Sequence, residues 1–505
     1  MSLDAKLIQS VTVIGGGSAG FMAALGIKCK IPALRVRVIR SKDIGIIGVG
    51  EGSTGTLTHY LHKYLKVAPK KFHEVAQPTW KLGLKFIWGA RPSFNYTFGP
   101  GLETRTDPAQ AKPNGFYCDE DIAYPDLISA LMSEDRVFAT SNGAPVPHSS
   151  IAYHFENEKY VQFLEGAARA MGIEIVDDTV TQVFPGVEGV HSLALQSGNV
   201  ERADLFVDCS GFFSILLGKA LKEPFIGYKS SLFCERAVVG GWDRAGSADP
   251  ADQVIKPYTT CETMDAGWAW QIEHEHRINR GYVYCPDFIS DEQAEAEFRA
   301  KNPRVGKTRV VKFISGRYAR GWVGNVVAIG NASGFVEPLE ATALGVIARQ
   351  TVTLTDILMN SDQQPPATQI HLYNRQNGQF WDSIRGFLAL HYKFNTRLDN
   401  PFWRHCREKT DLASAAPAVE YYQQNGPDGY WGLALLDNLA DQFSLSGYLT
   451  MLVGMKVPYR HTWEPKSEDL ARFEANRKLH QETARAGYTV RQTLDALRLP
   501  TWVWK

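Results

Sequence analysis

The chain has no excess of either charge. Its 505 residues hold 54 lysines and arginines against 54 aspartates and glutamates. That balance excludes the basic surface a nucleic-acid partner requires. Cysteine is sparse, with seven scattered residues (Cys29, Cys118, Cys209, Cys234, Cys261, Cys285 and Cys406), an odd number with no Cys-x-x-Cys pair. This excludes a zinc site of ordinary spacing and a disulfide framework, so no metal site is predicted and buried thiols in a reducing compartment are expected. There is no repeat and no low-complexity tract. One uncharged run, Leu7 to Ile27, has the length of a membrane span. Gly15, Gly16, Gly17, Gly20 and Gly26 interrupt it, and Gln9, Ser10, Thr12 and Ser18 are polar. A strand–turn–helix explains it better than a span or a signal segment, so a soluble, cytoplasmic protein without a membrane partner is expected.

The length is too great for one simple core and predicts two or three packed regions. Aromatics make up 11% of the chain and include 12 tryptophans. They can line a flat cavity, but a large core uses the same residues. The start reads βαβ: a β-branched strand at Val11–Ile14, a helix from about Ser18 to Cys29 ended near Pro32, then a strand in which Leu34, Val36 and Val38 alternate with Arg35 and Arg37. A glycine-rich loop follows from Gly45 to Gly55. From Trp80 to Trp88 one strand is expected, with Trp80, Leu82, Leu84, Phe86 and Trp88 on one face and Lys81, Gly83, Lys85 and Ile87 on the other. Arg105 to Gly115 reads as a polar loop. Leu205–Asp208 and Val326–Ile329 read as buried strands, and Ala341 to about Leu358 as a helix. Ser361 to Thr368 is a Pro/Gln-rich connector, after which the chain is mostly helical. Ser467 is a candidate N-cap for the last amphipathic stretch, with Glu468 and Asp469 in its first turn.

Gly15-x-Gly17-x-x-Gly20 follows a strand and opens a helix, where a dinucleotide phosphate loop belongs. Ser18 and Ala19 complete it, and the helix N-terminus faces the pyrophosphate charge. The second strand ends in Arg40, where an acidic residue would accept from a ribose hydroxyl. An arginine there suits a 2′-phosphate or stacks on adenine. Two later strand ends, Asp208-Cys-Ser-Gly211 and Gly330-Asn-Ala-Ser-Gly334, carry small residues. They let the backbone approach a long, bent ligand, which argues for FAD. No second glycine fingerprint stands in a βαβ setting for a separate nicotinamide site. Taken alone, Lys81 and Lys85 are ordinary solvated strand lysines, and nothing local chooses between them. Glu340 reads as an ordinary acid in the first turn of a helix.

The chain resembles the flavin-dependent halogenases of the tryptophan halogenase type. The resemblance rests on Gly15-Gly-Gly-Ser-Ala-Gly20, Gly48-Val-Gly-Glu-Gly-Ser53, Trp80-Lys-Leu-Gly-Leu-Lys-Phe86, Asp208-Cys-Ser-Gly211 and Gly267-Trp-Ala-Trp-Gln-Ile272. Towards the C-terminus it rests on Phe335-Val-Glu-Pro-Leu-Glu-Ala-Thr342, His391-Tyr392 and Asp399-Asn-Pro-Phe-Trp403. It implies an α/β fold: an FAD-binding Rossmann-like module of the aromatic-hydroxylase type over 1–360, with an inserted substrate-facing sheet at about 80–200 and 225–320. A mostly helical part, 361–505, would cap the substrate site. It implies that a separate reductase supplies reduced FAD, and that oxygen and bound chloride or bromide yield hypohalous acid. The acid would travel through a tunnel to a lysine beside a small aromatic substrate of indole or phenol type. A homodimer remains compatible with the sequence.

By this resemblance Lys81 is the catalytic lysine and Glu340 the catalytic glutamate, with Glu337 the unmatched control. Gly50 and Glu51 join Gly15, Gly17, Ser18, Ala19, Gly20, Arg40, Asp208, Gly330 and Gly334 as cofactor-binding positions. Thr342 and Ala343 match the halide-binding amides, although the family often has Ser-Thr-Gly where this chain has Ala-Thr-Ala. Phe98 matches a ring-stacking substrate residue. Tyr96 stands where the tryptophan enzymes carry histidine, and Tyr448 falls in the amino-acid-binding stretch, Ser446-Gly-Tyr-Leu-Thr450, without the family's paired tyrosines. Free tryptophan is therefore expected to be a poor substrate, because amino-acid recognition needs placed polar groups. The family hallmark Trp-x-Trp-x-Ile-Pro ends here in Glu273. Together with Arg40, that departure leaves an NAD(P)H-using FAD aromatic hydroxylase as the alternative, and a non-enzymatic flavin sensor as a third reading.

Overall fold

The computed structural model describes residues 7–45, 50–98, 122–147, 151–245, 247, 249–427, 435, 441–461, 466–502 and 504. The loop expected over 105–115, residues 46–49 of the glycine-rich segment and Cys118 lie outside them. Two compact units interleave along the chain. The first comprises Met1–Gln77, Phe155–Tyr228 and Phe313–Trp381, and the second Pro78–His154, Lys229–Lys312 and Asp382–Lys505.

The first unit is built on a six-stranded sheet in the order Glu174–Asp177, Arg35–Arg40, Ser10–Ile14, Leu205–Asp208, Val326–Ala328 and Trp322–Val323. All neighbours are parallel except the last pair. A parallel strand is covered on both faces, and Ser10–Ile14 is accordingly buried at every residue. Its register sets Ile14 beside Asp208 and Asp208 beside Ala328. The three loops rich in small residues thus leave the same edge of the sheet, the carboxyl ends, where open α/β sheets bind ligands. Helix Ser18–Lys30 buries the run from Gly20 to Ile27. Ile14, Ile39, Leu193, Phe206, Leu217 and Val326 form a core at this sheet.

The second unit holds a seven-stranded sheet in the order Arg309–Lys312, Arg236–Asp243, Arg277–Tyr284, Gly267–Glu273, Tyr258–Met264, Gly83–Ile87 and Phe94–Thr97. Val238, Met264, Ala269, Tyr282 and Tyr284 pack with Phe298 of helix Asp291–Lys301, which a Ser290/Gln293 capping box starts. After residue 360 the regular elements among the described residues are helical, including Ala367–Lys393, Pro401–Lys409, Ser444–Gly454, Ser467–Arg485 and Val490–Leu497.

The α/β class and the helical C-terminal part agree with expectation, while Phe155–Tyr228, much of it expected within the insert at about 80–200, belongs to the first unit. Two local readings need correction. The alternation from Trp80 to Trp88 belongs to two strands, Thr79–Lys81 and Gly83–Ile87, which join different sheets. At Leu82 the chain changes partners: its N–H donates to the Pro257 carbonyl and its carbonyl accepts from the Phe98 N–H. Ser467 is the first residue of its helix, and Lys466 precedes it as N-cap. No described helix is long and apolar enough to cross a membrane, and no described cluster could hold a metal ion.

Candidate functional site

The phosphate loop sits at the carboxyl end of Ser10–Ile14. A Cβ on Gly20 would stand 1.8 Å from the Gly15 carbonyl oxygen, and one on Gly15 2.3 Å from that of Cys209. Only glycine fits either place. A Cβ on Gly17 or Gly211 would meet nothing within 4 Å, so both face open space. Gly17 caps helix Ser18–Lys30 without a side-chain hydrogen bond, and no acidic residue stands in the first turn. The first-turn amides of Ser18, Ala19 and Gly20 are thus available to an anion. This cradle fits the pyrophosphate of FAD.

The other positions expected to hold the cofactor differ in their surroundings. The Asp208 side chain serves its own loop: it accepts from the amide and hydroxyl of Ser210 at 3.1 and 2.6 Å, and from the amides of Leu216 and Leu217 at 2.8 and 3.0 Å. Burial nonetheless pushes its carboxyl above the usual range, against those hydrogen bonds. Gly330 has φ +66°, and its amide donates to Gln350 Oε1 at 2.8 Å. A Cβ on Gly330 would lie 3.2 Å from that of Ala19, so this loop passes the phosphate helix closely. Gly334 is a close-packing glycine, 2.9 Å from the Gly316 carbonyl by the same measure. Gly50 has φ +74°, and Glu51 accepts from Asn157 Nδ2 at 2.9 Å. Arg40 ends its strand in an ion pair with Glu165 at 2.9 Å. Glu165 also pairs with Arg169 at 2.7 Å, so Arg40 shares that carboxylate with a second guanidinium.

Glu340 ends the short turn Pro338–Glu340, and Glu337 and Glu340 are both buried. Ala341 follows in the left-handed region at φ +54°, then Thr342 caps helix Ala343–Asn360. Glu340 therefore precedes this helix instead of lying in its first turn. Thr342 makes no side-chain cap bond, and the first turn holds no acid. The amides beginning at Ala343 suit an anion.

In the second unit Lys81 is 0% exposed, and its Nζ stands 5.1 Å from the centre of the Phe98 ring. Lys85 is half-buried, with Nζ 5.3 Å over Tyr258. The solvated reading of Lys81 is thus incorrect, and the two lysines are distinct in burial. Tyr96 meets Phe98 edge-on at 6.3 Å and Phe387 at 6.1 Å. Phe387 in turn stacks on Phe443 at 3.7 Å and meets Tyr448 at 5.1 Å. Tyr448 is buried and donates to Asp441 at 3.2 Å; burial pushes its phenol well above the usual value.

Trp268 and Trp270 lie on Gly267–Glu273, with ring centres 5.9 Å apart. Glu273 is buried in an ion pair with buried Arg244 and accepts from Gln271 Nε2 at 2.7 Å. The residue that departs from the family motif thus serves a structural pair. Arg244 lies 29 positions away in the chain, with no periodic signal to link the two. Sequence reasoning also missed His154 and Thr259, whose Nε2 and Oγ1 stand 2.8 Å apart beside the Lys81 strand. A lone histidine within Ala-Tyr-His-Phe carries no sequence signal beyond a core strand.

The first unit is a dinucleotide-binding α/β fold with a phosphate loop, and the second carries a buried amine over an aromatic ring. The tryptophan halogenase family model matches residues 10–468, and the chain belongs to that family. It is 30% identical over 446 residues to the tryptophan 6-halogenase ThaL of Streptomyces albogriseolus, with 83% of each chain covered. Among solved structures it is similar to MibH, a lanthipeptide tryptophan 5-halogenase, with TM-score 0.88, 36% identity, and 98% and 95% of the two chains covered. It is also similar to BrvH, a flavin-dependent halogenase from Brevundimonas, with TM-score 0.83, 26% identity, and 97% and 99% covered. The protein is a flavin-dependent halogenase using reduced FAD, oxygen and halide. The hydroxylase and sensor readings are set aside.

Proposed function

We propose that this enzyme halogenates the indole ring of a tryptophan carried in a peptide, with reduced FAD supplied by a separate reductase. The observation that carries the proposal is Lys81, an amine wholly removed from water and facing the Phe98 ring at 5.1 Å. A buried amine is costly to keep without a function. The glycine cradle and the loops at 208–211 and 330–334 would hold reduced FAD, which together with O2 would supply the two-electron oxidation of halide. The amides at Thr342 and Ala343 bind the halide. Lys81 holds the oxidised halogen beside the ring, Glu340 takes up the proton lost from carbon, and Phe98 and Tyr96 offer aromatic surface to the indole.

Two features favour a peptide over free tryptophan. The Tyr448 hydroxyl is committed to Asp441 and that of Thr450 to the Ser446 carbonyl, so neither is offered to an amino-acid carboxylate. Identity to MibH, named for a lanthipeptide substrate, is 36%, against 28% to the tryptophan 7-halogenase RebH of Lentzea aerocolonigenes. The test supplies a flavin reductase, NADH, FAD, and chloride or bromide. It compares free tryptophan, indole and tryptophan-containing peptides by product mass. Peptide halogenation exceeding that of free tryptophan is expected. Efficient single-position halogenation of free tryptophan overturns the substrate assignment, and steady NADPH oxidation without a reductase overturns the two-component scheme.

A further inference from the structure

Strand Thr79–Lys81 runs antiparallel to Ala152–Phe155, with Thr79 opposite His154 and Lys81 opposite Ala152. Opposed residues in such a ladder, and residues two apart on one strand, project from the same face. Thr79, Lys81, Ala152 and His154 therefore share a face, and all four are buried. The residue straight across from Lys81 offers only a methyl group and cannot hold a four-carbon chain. The bulky neighbour is the diagonal one, His154, at a cross-strand spacing of about 7 Å that a long side chain spans.

The imidazole is itself fixed. Its Nε2 lies 2.8 Å from the Thr259 hydroxyl, and the Glu273 carbonyl faces the ring. That carbonyl also accepts from the Thr79 hydroxyl at 2.5 Å. Burial first, then the nearby Lys81 and His274, hold the His154 ring well below its usual pKa. The ring stays neutral at ordinary pH and adds no charge beside the amine.

We propose that His154 is a positioning residue for Lys81: pinned by Thr259, its ring forms the wall along which the lysine chain extends, so that the amine stands over Phe98. The proposal rests on the reading of Lys81 as the amine that holds the oxidised halogen. No atom of His154 takes part in the substitution.

The experiment compares His154→Phe, His154→Gln, Thr259→Val and Lys81→Ala in the full enzyme with reductase, halide and indole substrate. FAD affinity, melting temperature, reduced-flavin oxidation, halogenated product and oxidised halide captured by a soluble β-diketone are measured on each. His154→Phe keeps a ring but loses the bond to Thr259. Its product is expected to fall by on the order of 100-fold, the scale of cost for a misplaced reacting group. FAD affinity and flavin oxidation should hold, and oxidised halide should escape to the trap. His154→Gln can still accept from Thr259 and should restore most of the product. Thr259→Val should shift product and trapped halide in the same direction as His154→Phe. Parental product from a folded His154→Phe overturns the proposal, as does a loss that follows melting temperature and is not rescued by glutamine. If His154→Phe does not fold, parental product from Thr259→Val overturns it. Parental product from Lys81→Ala instead overturns the reading of the lysine, and this proposal with it.

Discussion

Lys81 and Lys85 are neighbours on one apparent strand face, and the fold treats them differently. Lys81 ends a three-residue strand and is 0% exposed. Lys85 lies in the seven-stranded sheet, half-buried over Tyr258, whose phenol donates to Asp135 at 2.8 Å. Burial lowers the Lys85 amine pKa, while Asp135 opposes the shift. The contrast arises at Leu82, where the chain changes partners. A half-buried amine keeps contact with water and needs no special role. A buried one costs several kcal/mol unless its surroundings compensate, so its retention calls for a reason. Other ionisable groups of this chain are buried as well, Glu273, Arg244 and His73 among them.

The largest stability effect is expected at Glu273. Glu273→Ala leaves the Arg244 guanidinium buried without its carboxylate. Stability should fall by about 3–5 kcal/mol in denaturant unfolding, with part recovered when Arg244→Met is added. A fall below about 1 kcal/mol would break the claim that burial makes charge costly in this unit.

Between pH 6 and 4 a smaller effect, at most about 3 kcal/mol, is expected at His73, which burial holds at about 3. Its folded pKa lies below the unfolded value, so the neutral ring contributes full stability above about 6.5. That contribution is lost as pH falls from there towards 3, by up to about 1.4 kcal/mol per pH unit. His73→Phe should flatten the dependence of melting temperature on pH between 6 and 4. An unchanged slope would show that the His73 ring protonates freely in the folded state.

The smallest effect is expected from Lys85→Ala. It removes a half-buried amine over a tyrosine ring and should change stability by less than about 1 kcal/mol. Halogenation should persist, and its loss would erase the distinction between the two lysines.

The phosphate loop was legible because strand, glycines and helix follow one another within a few residues, so Gly15, Gly17 and Gly20 announce their roles locally. The strands at 205–208 and 326–328 were legible for the same reason: buried parallel strands are short apolar runs ended by small residues. The choice of Lys81 over Lys85 was not legible in the residue pattern. Unbroken alternation from Trp80 to Trp88 conceals the change of sheet at Leu82, and only the family resemblance singled out Lys81. The partners of that strand were hidden as well. His154 reads as core, and the hydroxyl that fixes its ring comes from Thr259, 105 positions away. The Glu273 departure reads as a change in chemistry because its partner Arg244 lies just past the end of another strand, and burial on both sides appears only in the fold. The sequence pattern puts Glu340 in a helix that in fact begins after it, because the left-handed Ala341 carries no glycine to mark the break.

The central claim is that Lys81 carries halogen transfer to the substrate and leaves flavin chemistry to other residues. The most direct measurement is the ratio of halogenated product to reduced flavin oxidised, taken side by side for the parent, Lys81→Ala and Lys85→Ala with a reductase, bromide and a tryptophan-containing peptide. The expected result is no detectable product from Lys81→Ala with flavin oxidation and FAD binding retained, and a near-parental ratio from Lys85→Ala. A near-parental ratio from Lys81→Ala would contradict the claim, as would loss of FAD binding together with product.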